Sequence, residues 1–288
     1  MMHFDMDTSL SMTSANNVLI NTPRRVKPSA CKVLHRRSCM EWEYLGYVDI
    51  PDWMQDNDLI KEYYRPQMSF GLALATLFQL HNETVNVWSH LLGLFTFTFL
   101  TVWFRMSWPG LVFQLALLYT LAASVSAHLM YVVNKDFCRV LWRLDHMGIA
   151  ISCTGAFFPI CFYNFETRLA TIYVAITCFI TVFVIACSLF DRFHTMAFRP
   201  YRVAIQLLFP VWAVVPLAHA FYVSNESQRN NLLIVVGAII VEIIGAIIFI
   251  SRVTERYFRV DLIGSSHNIM HCVVLIGHGM FFYAINAS

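Results

Sequence analysis

From residue 84 onward the chain alternates between long apolar runs and short polar links. Seven runs stand out, at 84–104, 111–133, 147–165, 169–189, 203–223, 232–251 and 265–286. Each approaches the ~20 residues that a helix needs to cross a bilayer. A short polar break around 164–168 is all that separates the third run from the fourth, so a lumped six-span reading stays open at this point. Before the first span, residues 68–80 (MSFGLALATLFQL) form an apolar run too short to cross, which predicts an interfacial or buried helix. The pattern thus predicts an all-α membrane protein, a seven-transmembrane helix bundle with a short interfacial helix ahead of its first span.

The region before residue 84 divides in two. Residues 1–40 are rich in Ser, Thr, Asn and Met and then basic, which predicts a disordered tail. Residues 41–83 mix Trp42, Tyr44, Tyr47, Trp53 and Tyr63 with charges, as suits a folded juxtamembrane segment carrying the interfacial helix. Residues 84–288 are then the transmembrane domain. The tail holds no apolar core of a signal peptide, so the first span is expected to act as the targeting signal.

Composition agrees with the pattern. Of 288 residues, 58% are hydrophobic and 13% charged, where soluble domains carry roughly 25% charged residues. No basic stripe interleaved with aromatics is present, and a nucleic-acid partner is not expected. The eight cysteines form no CxxC pair, and five lie in apolar runs; they read as free packing thiols.

The charge distribution adds a direction. All but three of the 20 basic residues precede the first span or fall in the links after the second, fourth and sixth spans. The exceptions are Arg105, Arg168 and Arg229. By the positive-inside rule this predicts a cytoplasmic N-terminus and an extracellular or lumenal C-terminus. That orientation is opposite to the G-protein-coupled receptors and disfavours that class.

The same topology brings chemistry together. His267 and His271 are one helical turn apart on one face of the seventh span. His128 lies near the end of the second span, and Asp145 is expected where the third begins. Three His and one Asp therefore fall at one membrane depth. Three His with an open position is a common catalytic zinc arrangement, with the carboxylate placed to orient or deprotonate water. Ser124 lies one turn before His128, where its hydroxyl can meet that water or a substrate carbonyl. Bland readings compete: a lone His in an apolar helix usually packs, Ser265 or Ser266 can be an N-cap, and Asp145 can pair with Arg143 or cap the third helix. His90, His219, Glu242 and His278 read as interhelical hydrogen-bond partners, some of which can line a cavity. His278 is two turns, about 10 Å, beyond His271 and too far to share its metal. Glu83, Asn86 and His90 share a face of the first span and read as a polar seam that locks helices.

Three blocks of residues carry a family resemblance. They are Leu77–Leu80 running into HNETVNVWSHLLG (81–93), Ser124-x3-His128 followed by Leu144–Ala150, and Glu255–Phe258 leading to Ser266-His267-x3-His271. On these, over about residues 45–286, the chain resembles the progestin and adipoQ receptor family. IPDWMQDNDLI (50–60), Arg65-Pro66, Met68–Phe70, Asp191–Phe193 and Val214–Pro216 resemble the adiponectin receptors most closely. SSHNIMH (265–271) is equally like the Golgi-resident Raf-trapping branch. Two places depart from the family: Thr254 and Arg259-Val260 flank the third block where Pro and Pro-Gly are usual, and Tyr63-Tyr64-Arg65 stands where Gly-Tyr-Arg is common.

The resemblance implies zinc held by His128, His267 and His271, with Asp145 reaching the metal through water. It implies a receptor of the adiponectin or progestin type, signalling in lipid and energy metabolism and coupled to ceramide hydrolysis, with Asp145 and Ser124 as the candidate catalytic pair. Expected partners are a membrane lipid (ceramide or a free fatty acid) in the bundle, an extracellular adiponectin-like or steroid ligand, and cytoplasmic signalling proteins on the N-terminal segment. The plasma membrane and the Golgi or ER membrane are both open. The alternative is a Golgi or ER scaffold that sequesters a signalling protein, with zinc purely structural.

Overall fold

The computed structural model describes residues 42–287; the tail expected at 1–40 lies outside the described residues. Ten α-helices and no β-strand are found among them. The short helix α1 (Phe70–Ala75) precedes α2 (Thr84–Trp103), α3 (Trp108–Met130), α4 (Lys135–Phe162) and α5 (Thr167–Ser188). Then come α6 (Arg199–Gln206), α7 (Leu208–Val223), α8 (Glu226–Ser251), α9 (Val253–Tyr257) and α10 (Ser266–Asn286). With α6 and α7 taken together, seven segments are long and apolar enough to span a membrane. The chain is a multi-pass membrane protein, and the six-span alternative falls because α4 and α5 are separate helices.

The helix ends follow their local chemistry. The Oδ1 of Asn134 accepts from the N–H of Phe137 at 2.9 Å and starts α4 there, twelve residues before the expected onset at 147. The first turns of α4 carry Lys135, Asp136, Arg139 and Arg143, charges that a search for apolar runs excludes although they are helical. Asn225 with Gln228, and Ser265 with Asn268, form reciprocal capping boxes that start α8 and α10. The fifth span breaks at Leu207. Pro210 has no N–H to offer the carbonyl of Gln206, and the helix divides into α6 and α7 around that gap.

Small residues set the closest approaches. A Cβ on Gly155 of α4 would lie 2.6 Å from the Cβ of Ala116 on α3, so only glycine permits this spacing. The interior is filled by Phe97, Phe113, Leu117, Leu121, Phe157, Phe209 and Phe281. Phe95, Phe99, Phe179, Val182, Val211 and Ile247 point outward. An apolar exterior of this kind is what lipid requires.

The juxtamembrane segment has its own small core. Ile50, Met54, Ile60, Tyr64 and Met68 pack with Val87, Ala127, Leu129, Val132 and Leu141, at the bundle end where α2 begins and α3 finishes. Leu45 and Tyr64 exchange backbone bonds at 2.8 and 3.1 Å. Arg65 is fully buried. It donates to the Oγ1 of Thr76 at 2.6 Å and to the carbonyls of His128 and Leu129 at 2.6 and 2.9 Å. Those two carbonyls belong to the last turn of α3, where no intrahelical donor reaches them. The expected apolar run at 68–80 becomes α1 followed by a 3-10 turn, Thr76–Phe78, with Phe70, Leu72, Leu74 and Phe78 exposed. Tyr63, where the family commonly has glycine, adopts φ = 65°, a left-handed conformation that favours glycine.

Candidate metal centre

Two helices deliver three imidazoles to one point. His128 comes from the last turn of α3, and His267 and His271 from the first two turns of α10. One ring nitrogen from each lies within 4.8 Å of the others. The three ring centroids are 4.8–4.9 Å apart. His128 and His271 are buried. His128 Nε2 and His271 Nδ1 have no hydrogen-bond partner among the described residues. A buried polar atom without a partner is costly, and two of them facing one small space call for a shared partner.

The polar block at the start of α2 orients these rings. The Oε2 of Glu83 stands 2.7 Å from His128 Nδ1. A carboxylate only accepts, so Nδ1 carries the proton and Nε2 keeps its lone pair for the site. The same oxygen accepts from Asn86 Nδ2 at 2.6 Å, and Asn86 Oδ1 accepts from Asn268 Nδ2 at 2.8 Å. The backbone carbonyl of Asn86 accepts from His271. His90 stacks on His271 with centroids 3.8 Å apart. Burial alone would raise the Glu83 carboxyl; His128, the hydrogen bond between them, His267 and Asn86 together hold it well below the usual carboxylate range. The seam read from the sequence is therefore real for Glu83 and Asn86, which also aim two of the three imidazoles, while both ring nitrogens of His90 lack the hydrogen-bond partner expected of them among the described residues. Sequence reasoning missed that second role. The one-face spacing of Glu83, Asn86 and His90 was visible, but the partner of Glu83 is 45 residues away.

Asp145 and Ser124 meet beside the trio. Asp145 lies inside α4 rather than at its start, and it accepts a hydrogen bond from Ser124. It is within electrostatic range of His128 and Glu83 but does not belong to the close set of ligand atoms. Neither bland reading of Asp145 holds. Asn134 caps α4, and Arg143 donates instead to Asp191 at 2.9 Å and to the carbonyl of Leu189. Ser265 is the N-cap of α10, while Ser266 donates to the buried Glu255 at 2.7 Å. The remaining candidates sit elsewhere: His219 bonds the Tyr173 hydroxyl at 2.8 Å, and His278 pairs with Glu242. The six described cysteines are free, as expected.

Residues 78–282 match the haemolysin-III-related family. The chain belongs to that family. Among its curated relatives are an adiponectin receptor protein of Drosophila melanogaster, 29% identical over 85% of this chain, and a progestin and adipoQ receptor-like protein of Caenorhabditis elegans, 28% identical over 85%. A heptahelical transmembrane protein of Arabidopsis thaliana is 30% identical over 82% of this chain and 78% of its own length. The chain spans about three fifths of the length of the fly and nematode relatives, which cover 59% and 61%. The progestin and adipoQ receptor resemblance read from the three blocks thus holds, and all three fall inside or at the edge of the matched span.

Proposed function

We propose that this protein is a zinc-containing seven-transmembrane receptor of the adiponectin and progestin receptor type, with a slow intrinsic hydrolysis of ceramide-like amides. The observation that carries the reading is the convergence of one ring nitrogen each from His128, His267 and His271, with His128 Nε2 and His271 Nδ1 buried and unpartnered among the described residues. Three neutral imidazoles of which one is backed by a carboxylate, with no thiolate in the set, suit zinc with an open position. The names of the fly and nematode relatives support the receptor class. The charge distribution supports an orientation with the juxtamembrane segment and the metal end in the cytoplasm.

Zinc, when bound by these three residues, supplies Lewis acidity for polarising water or a carbonyl. The chain supplies the rest. Glu83 and Asn86 hold the His128 and His271 imidazoles in fixed tautomers, so those two ligands are aimed before a metal or substrate arrives. Asp145, steadied by Ser124, takes a proton from the attacking water and delivers it to the departing sphingoid amine. The lipid enters between helices and presents its amide at the metal end. Ceramide turnover by the purified protein tests this, with and without a chelator and with His267→Ala and His271→Ala. Turnover that survives both losses overturns the hydrolase reading. Zinc below one equivalent per chain in the wild type overturns the metal.

A second reading keeps the zinc but makes it structural, in a Golgi or ER scaffold that sequesters a signalling protein. It is supported by the way Glu255 joins the juxtamembrane segment to α10, accepting from Asn57 at 3.0 Å and from Ser266 at 2.7 Å. A chelator that lowers the melting temperature without any substrate ever being turned over favours it. Co-purification of a signalling protein that depends on residues 1–67 distinguishes scaffold from receptor.

A further inference from the structure

Two turns beyond His271, α10 carries a third histidine, one that the metal centre does not use. His278 Nδ1 lies 2.8 Å from the carbonyl oxygen of Val274 and 3.1 Å from Oε1 of Glu242 on α8. Both neighbours only accept, so in the neutral ring Nδ1 carries the proton. Nε2 then holds a lone pair, and it stands 3.1 Å from the hydroxyl of Ser152 on α4. The Ser152 proton must point at it. Three helices thus build a carboxylate, an imidazole in the base tautomer and a hydroxyl in series, the arrangement that activates a serine nucleophile.

The series faces a space. Ser152, His278 and Glu242 all line a cavity of about 160 Å³ between α3, α4, α6, α7, α8 and α10, whose other walls are mostly apolar. Gly277 is what lets Glu242 reach the ring, because a Cβ there would lie 2.6 Å from the carboxylate's own Cγ. Gln206, where the fifth span breaks, lines the same cavity. Its Nε2 makes only a long 3.4 Å bond to the His146 carbonyl. That amide is the neutral donor at hand for a carbonyl oxygen. None of the residues at the metal centre lines this cavity.

We propose that Ser152, His278 and Glu242 form a second, metal-independent acyl-transfer centre whose substrate is a carboxylic ester of a long-chain lipid. Ser152 Oγ attacks the ester carbonyl while its proton passes to His278 Nε2. The ester C–O bond breaks, and the alcohol leaves with that proton, giving an acyl-Ser152. Water then attacks the acyl carbonyl, gives its proton to Nε2, and releases the fatty acid as Ser152 recovers its hydrogen. Glu242 holds the ring and balances its charge during each transfer. The apolar walls hold the acyl chain and keep water scarce, which slows the second half.

The test treats the full-length protein, in detergent and in lipid nanodiscs, with a long-chain alkyl fluorophosphonate, and locates the adduct by peptide mass. One adduct on Ser152 is expected. His278→Ala should slow its formation about 100-fold, the ordinary contribution of a positioned general base. Glu242→Gln should slow it less. The adduct should form at the same rate with and without chelator, which separates this centre from the metal. No adduct on Ser152 in the wild type overturns the proposal. So does an equal rate in His278→Ala, with a melting temperature measured alongside to confirm that the variant is folded.

Discussion

The two histidine clusters on α10 share a helix and differ in what their nitrogens touch. At the metal end, His128 Nε2 and His271 Nδ1 are left without partners, and one ring nitrogen from each of three histidines lies within 4.8 Å of the others. Two turns away, both nitrogens of His278 are occupied, one by acceptors and one by a hydroxyl. Convergent unpaired nitrogens call for a cation. A ring caught between a carboxylate and a hydroxyl calls for proton transfer. Burial is similar in the two places, so the partners distinguish them.

The largest effect expected is the one that separates the clusters. His271→Ala should abolish stoichiometric zinc by mass spectrometry, and His278→Ala should retain it; equal loss in both would dissolve the distinction. Glu83→Gln comes next. With only one of its two side-chain atoms able to accept, it can no longer be counted on to fix the His128 tautomer, and zinc affinity by competition titration should fall roughly 10- to 100-fold. An unchanged affinity would reduce the polar block to packing.

A third test concerns the staple beside the metal end. Glu255→Ala strands the Asn57 amide and the Ser266 hydroxyl, both buried, and should cost about 1–3 kcal/mol by denaturant melting in detergent. Burial raises this carboxyl, but the bonds from Ser266 and Thr254 lower it more, so its folded pKa lies below the unfolded one. That stability is present above the ordinary carboxylate pKa of about 4.5 and is lost as pH falls through the folded value. The acid-side drop in melting temperature should accordingly be shallower in Glu255→Ala. The smallest effect belongs to Tyr63. Tyr63→Gly relieves left-handed strain of about 1 kcal/mol and forfeits a ring contact with Tyr44 at 5.8 Å, for a net gain of roughly 0.5 kcal/mol. A loss of stability would mean that the ring matters more than the backbone.

Much of this was legible in the chain. Seven spans follow from the ~20-residue apolar runs alone, and His267 with His271 from helical spacing. His128 joined them because the span count and the charge distribution put it at the same depth. Two kinds of feature were hidden. The first turns of α4 were masked by their own charges, since a rule that seeks apolar residues ends a span where Lys135 and Arg139 begin. The partners of Glu83 and His278 were masked by distance along the chain. Ser152 and His278 are 126 positions apart, and nothing near either residue announces the other. Spacing on one helix can be read locally, whereas a contact between helices exists only once the bundle has closed.

The bond between Asn57 and Glu255 joins residues 198 positions apart. Its consequence falls on the ribosome. The juxtamembrane segment is synthesised first, yet its acceptor appears only after the sixth span has been made. At about 5–20 residues per second, that is roughly 10–40 seconds of translation. Throughout that interval Asn57 waits without Glu255, although the α3 carbonyls that Arg65 caps follow that arginine by only 63 and 64 residues. This bond is therefore a late event in biogenesis, and it reports that the sixth span has been made. An assembly factor that screens nascent chains for an unpaired Asn57 would be checking for the sixth span through a residue made before the first.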